Sequence, residues 1–111
     1  MQALEFGKKS EDLASRFLEQ EGFSIIERNY FARKMGEIDI IAIKNNIFHF
    51  VEVKSAKKDF DPIYNITASK LRKVINSVNY YIKIKKLDIS FSIDVILIRG
   101  DEVEFLENVT L

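Results

Sequence analysis

The chain has 111 residues, 47% of them apolar and 31% charged, which is the composition of one self-folding domain over residues 1–111 rather than of a disordered tract. The absence of cysteine excludes disulfides, a thiolate nucleophile and Cys-ligated metal. No basic-then-apolar leader and no apolar run near 18 residues is present, so a soluble, cytoplasmic chain with no membrane partner is expected.

Lys plus Arg balance Asp plus Glu at 17 each, so net charge does not argue for nucleic acid, but the charges are segregated. Between Ile66 and Lys86 there are six basic residues and no acid, while Asp101 to Glu107 holds four acids and no base. That distribution makes a basic face on a neutral molecule; on charge alone a solvated helix face is the simpler account.

Leu13, Ala14, Phe17 and Leu18 recur at helical spacing before Gly22, which predicts a helix over residues 6–21. A short strand over 24–29 and a basic loop over 30–35 follow. Residues 36–44 and 47–54 are strong strand runs separated by Asn45 and Asn46, two residues that tolerate the left-handed backbone of a type I′ turn. Residues 55–65, with Asp59, Asp61 and the only proline, Pro62, are expected as a loop. Leu71, Val74, Ile75, Val78 and Ile82 mark an amphipathic helix with Thr67 as N-cap. A strand over 89–98, a turn at 99–101 and a closing strand over 102–106 complete an α/β order of α-β-β-β-α-β-β.

A two-residue turn at Asn45-Asn46 makes opposed residue numbers sum to 91, so Asp39 faces Glu52 and Glu37 faces Lys54. By alternation Glu37, Asp39, Glu52 and Lys54 share one face with Ile41, Ile43, Phe48 and Phe50, while Ile38, Ile40, Ala42, Val51 and Val53 line the other. A strand pair apolar on both faces belongs in the middle of a helix-covered sheet. Opposed like charges destabilise a strand pair. A shared proton, the Lys54 cation or a divalent metal would each relieve the repulsion. Mg²⁺, which takes one or two carboxylates plus substrate phosphate, suits the arrangement. Glu-x-Lys alone is weak, expected by chance in roughly half of chains this size. A Glu37–Lys54 ion pair with Asp39 and Glu52 on a solvated rim would be the plain structural account. The mid-hairpin position of Asp39 and Glu52 among Ile and Val favours a functional one.

Gly36-Glu37-Ile38-Asp39 followed by Phe50-Val51-Glu52-Val53-Lys54 resembles the PD-(D/E)xK signature of restriction-endonuclease-like nucleases, and in detail the bacterial YraN family. Gly7 to Ala14, Gly22-Phe23, Arg28-Asn29, Thr67 to Lys70 and Asp94-Val95 follow that family's pattern in order. Archaeal Holliday-junction resolvases are similar in the hairpin and in a glutamate on the first helix. The resemblance implies a restriction-endonuclease-like mixed sheet flanked by helices, and a metal-dependent endonuclease acting on DNA, including branched or recombination intermediates. It implies Mg²⁺ or Mn²⁺ held by Asp39, Glu52 and the Val53 carbonyl, Lys54 at the attacking water or the phosphorus, Glu11 reaching in from the first helix, and a homodimer. Glu11 is three and seven residues before Ala14 and Leu18, so it lies along the apolar stripe. Ile38 replaces the signature's proline, Leu71 a usual glutamine, and Ser92-Ile93 a usual Arg-Phe. The alternative is a non-catalytic nucleic-acid-binding or protein-docking module on the same fold.

Arg28, Arg33, Lys34 and Lys70 are candidate phosphate contacts, with plain surface charge an equal alternative. Tyr30, Tyr64, Tyr80 and Tyr81 are expected in packing rather than base stacking. His49 points away from the acids and reads as a packed residue. Asp94, within an apolar strand, needs a buried partner.

Overall fold

The computed structural model describes residues 2–56 and 67–109, with side chains described from Lys9 onward. Its elements are α1 (Gln2–Gln20), β1 (Ser24–Phe31), a 3-10 turn (Arg33–Met35), β2 (Glu37–Lys44), β3 (Ile47–Ala56), α2 (Ala68–Ile84), β4 (Ser90–Arg99) and β5 (Glu102–Leu106). The expected α-β-β-β-α-β-β order is borne out. The expected loop over 57–65, with Asp59, Asp61, Pro62 and Tyr64, lies outside the described residues.

Three boundaries differ from the sequence reading. Helix α1 begins four residues earlier, at Gln2. Strand β1 extends through Tyr30 and Phe31 because the register with β2 continues to Phe31↔Glu37. Strand β3 runs on to Ala56 because β4 pairs with it as far as Ala56↔Arg99. Both strand extensions come from partner strands, which local residue preferences do not report.

The five strands lie in the order β1-β2-β3-β4-β5. All neighbours are antiparallel except β3 and β4, which are parallel and joined through α2. Helix α1 ends in a Schellman-type cap: Phe23 N–H donates to Leu18 O at 2.9 Å and Gly22 N–H to Glu19 O at 3.1 Å, with Gly22 at φ 93°. Thr67 caps α2, its hydroxyl accepting from Lys70 N–H at 3.1 Å.

Two cores cover the two faces of the sheet. Ala14, Leu18 and Phe23 pack on Ile40, Ala42, Val51, Ile96 and Ile98. Val74, Val78 and Tyr81 pack on Ile38, Ile41, Phe50 and Ile93. Strand β3 is thus central and buried on both sides, as its two-faced apolar pattern predicts. No helix among the described residues is long and apolar enough to cross a membrane.

Candidate metal centre

The site begins with the hairpin turn. Asn45 and Asn46 have φ 53° and 63°, both left-handed as a type I′ turn requires. Pairing runs from Lys44↔Ile47 to Ile40↔Val51, every pair summing to 91 as expected. Beyond it the strands stop forming a regular ladder. Instead of merely facing Glu52, Asp39 turns its carboxylate across the gap, and Oδ2 accepts the Val53 backbone N–H at 2.8 Å. A side chain thereby replaces a ladder carbonyl at the point where β2 and β3 part.

The change of path is visible in the two cores. Ile38 packs with the α2 layer and Ile40 with the α1 layer, although residues two apart on a regular strand share a face. On β1, Arg28 reaches Asp12 of α1 at 2.8 Å, whereas the Tyr30 ring meets Tyr81 of α2 with centroids 4.9 Å apart. Both strands therefore change face at Asn29 and Asp39, which the flanking pairs Arg28↔Ile40 and Tyr30↔Ile38 set opposite one another. Asn29 has φ 54°, the conformation Asn tolerates better than most residues. The assignment of Ile38 to the face of Ile40 is corrected on this ground: β2 changes face at Asp39, opposite the left-handed Asn29 of β1, and strict alternation fails there.

Around this break the side chains converge. Lys54 Nζ pairs with Glu52 Oε1 at 3.1 Å, so the lysine takes Glu52 as partner rather than facing Glu37 as the turn arithmetic suggested; Glu37 pairs with Phe31 of β1. Asp39 has its pKa pushed up to about 8, first by burial and then by Glu52 and Glu11, against the Val53 N–H and Lys54, which pull it down. Glu11 is also raised, chiefly by burial, with Glu37 adding to it, while Asn29 and Arg28 act to lower it. The Arg28 guanidinium lies 3.7 Å from Glu11 and 2.8 Å from Asp12, and its buried Nε has no hydrogen-bond partner among the described residues. Glu11, Asp39, Glu52 and Lys54 thus form one electrostatic cluster drawn from α1, β2 and β3.

Asp39 is the side chain that asks for a cation. It is largely buried, held by a single backbone donor and flanked by acids, and a hard divalent ion relieves such repulsion better than one lysine already paired to Glu52. Among the described residues no three His, Cys, Asp or Glu side chains form a ready metal cage. The residues that could hold an ion are Asp39 and Glu52 with the adjoining β3 backbone at Val53, a set that would suit Mg²⁺, an ion that retains waters, better than a metal needing a full protein cage.

The other candidates lie elsewhere. Arg33 and Lys34 are exposed on the 3-10 turn, where Arg33 Nε donates to Tyr80 Oη at 3.0 Å. Lys70 is exposed in the first turn of α2. The missing partner of Asp94 is His49: Nδ1 and Oδ2 are 2.6 Å apart, in a site where Asp94 is fully buried. Ser92 Oγ and the Asn108 N–H, the latter at 2.9 Å, satisfy the other oxygen. From sequence Asn29 enters only in the Arg28-Asn29 family match, at the end of the expected strand; an Asn in a strand run is the signal for its left-handed backbone.

The fold and site define a mixed α/β protein, among the described residues a five-stranded sheet flanked by two helices, with an acidic pair and a lysine at the parting of two central strands. The family model described as "Uncharacterised protein family UPF0102" matches residues 10–98. The chain belongs to this YraN-type family. A UPF0102 protein of Sulfurovum sp. (strain NBC37-1) is 73% identical over 106 residues, covering 96% of this chain and 94% of that protein. One from Wolinella succinogenes is 51% identical over 105 residues, covering 95% of each. One from Helicobacter pylori (strain HPAG1) is 47% identical over 104 residues, covering 94% of this chain and 90% of its own length.

Proposed function

We propose that this protein is a metal-dependent endonuclease of the restriction-endonuclease-like type, hydrolysing phosphodiester bonds in DNA, with branched intermediates among its substrates. The observation that carries the reading is the Asp39–Glu52–Lys54 cluster at the break in the β2–β3 ladder, with Glu11 brought to it by α1. Asp39, Glu52 and the Val53 carbonyl would hold Mg²⁺ or Mn²⁺. Bound there, the ion would supply charge neutralisation at phosphate and a lower pKa for water.

The chain's own residues have separate tasks. The Val53 N–H fixes the Asp39 carboxylate, so that ligand is positioned before any ion arrives. Glu52 anchors Lys54, which places an ammonium beside the acids, where negative charge would build on the non-bridging phosphate oxygens as water attacks phosphorus. Glu11, with its pKa raised by burial, is suited to accept a proton from an attacking water. Arg28 holds Glu11 and Asp12 against β1 and so keeps α1 in place over the site.

The test incubates purified protein with linear, flapped and four-way DNA, with Mg²⁺ or Mn²⁺. Cleavage is expected with metal and lost in Asp39→Ala and Glu52→Ala. No cleavage of any substrate, or equal cleavage by both variants, refutes the reading. Salt-sensitive DNA binding without cleavage, indifferent to Asp39→Ala, would favour a non-catalytic module.

A further inference from the structure

Strand β1 ends on a feature that the carboxylate cluster does not use. Phe31 is 70% exposed, the side chain that burial should claim first and does not. With Met35, itself 42% exposed, and with Ala32, Arg33, Lys34 and Tyr80 it lines an open hollow of about 580 Å³, within the size range of ligand sites. No acid is among the described residues lining it.

The turn that carries these side chains is held rigidly. Ala32 N–H donates to Gly36 O at 2.8 Å and Met35 N–H to Ala32 O at 3.1 Å. Arg33, not glycine or asparagine, occupies a left-handed position at φ 54°, while its side chain is tied to Tyr80. Gly36 sits so close to α2 that a Cβ there would lie 3.1 Å from Ser77 Oγ, with Lys73 beside it. A long charged side chain in strained backbone, fastened beside an exposed ring, is a conformation maintained at some cost.

The hollow also lies close to the candidate site along the strand pair. Phe31 pairs with Glu37, two residues along β2 from Asp39. At about 3.4 Å per residue that is about 7 Å of strand, close to two stacked base steps.

We propose that this hollow is a stacking site for an unpaired nucleobase, with Phe31 as the platform and Arg33 and Lys34 taking the flanking phosphates. The site would select strands with unpaired bases, such as flaps and branch points, and set the adjoining backbone toward Asp39 and Glu52. Exposed aromatic rings beside cations bind single strands in this way, because every base offers a π-face and every linkage a negative charge. A second protein copy would bring this pair of cations against its own like pair, with only Glu37 of β2, the strand partner of Phe31, to meet them. The proposal rests on the nuclease reading for its substrate, but not for its test.

The experiment places 2-aminopurine at the first unpaired position of a DNA flap and follows its fluorescence and binding anisotropy in EDTA, where no strand is cut. Wild type should quench the probe. Phe31→Ala should abolish the quench and weaken flap binding by about 5- to 150-fold, while Phe31→Trp keeps both and the blunt duplex is bound alike by all three. Thermal melts of the variants should match wild type, since the ring is exposed. Unchanged flap binding and quenching by Phe31→Ala overturns the proposal. So does an equal loss on flap and duplex. Sedimentation that finds a wild-type dimer and a Phe31→Ala monomer, with flap binding intact, assigns the patch to a second copy and overturns it as well. Flap binding that depends on Phe31 without cleavage in Mg²⁺ sinks the nuclease reading and leaves this one standing. Cleavage of flaps by Phe31→Ala at the wild-type rate does the reverse.

Discussion

Replacing Asp39 by Asn tests the electrostatics of the cluster without relying on activity. In the unfolded chain Asp39 titrates near its ordinary 3.8, and in the fold near about 8. Between those values the folded state holds a proton that the unfolded state has released, so stability falls as pH rises through the window. At 1.36 kcal/mol per unit the whole span sets a ceiling of about 6 kcal/mol. Water reaching a partly exposed side chain reduces this to about 2–3 kcal/mol. Asn keeps the neutral, hydrogen-bonding form at every pH and retains an acceptor for the Val53 N–H. Asp39→Asn should therefore melt about 10 °C above wild type at pH 9 in EDTA, and level with it below pH 4. Divalent metal should close the gap. Binding at a hundred times the dissociation constant adds about 2.7 kcal/mol, to wild type alone and chiefly above pH 7, because the ligand must be ionised. Differential scanning fluorimetry from pH 4 to 9, with and without Mg²⁺ or Mn²⁺, reads both effects. Equal melting of the two proteins at pH 9 in EDTA, or an equal metal shift in both, would refute the reasoning.

Lys54→Met should lower cleavage by about 100-fold with the melting temperature little changed, as expected for a charge acting on the transition state; gel assays under single-turnover conditions read this. Glu11→Gln should lower the rate and flatten the acid limb of the pH–rate profile. His49→Ala, which leaves Asp94 buried without its partner, should cost about 3–5 kcal/mol in urea unfolding and leave cleavage per folded molecule unchanged. Asn29→Val should cost about 1–2 kcal/mol because a β-branched residue resists φ 54°, whereas Asn29→Gly should be close to neutral. An Asn29→Val protein as stable as wild type would count against the strand break described here.

The features legible in the amino-acid order are those decided by neighbours along the chain. Asn45-Asn46 can turn left-handed at two successive residues, and that sets the β2–β3 register. The period-2 runs mark both strands as buried on two faces, Gly22 stops α1, and Thr67 starts α2. From these alone Asp39, Glu52 and Lys54 come to one end of one hairpin. Three other features depend on segments far apart in sequence. The parallel register of β3 with β4 sets His49↔Ser92 and Val51↔Asp94, and only that pairing identifies the partner of Asp94. The change of face at Asn29 and Asp39 requires β1 to lie against β2, and it turns an acid facing an acid into a carboxylate anchored on Val53 N–H. The exposure of Phe31, at the end of an edge strand, depends on what other segments bring against it. Local periodicity measures how each residue is shared between two faces; it carries no information about which strand lies alongside. For that reason the hairpin could be read from the sequence, and the anchoring of Asp39 within it could not.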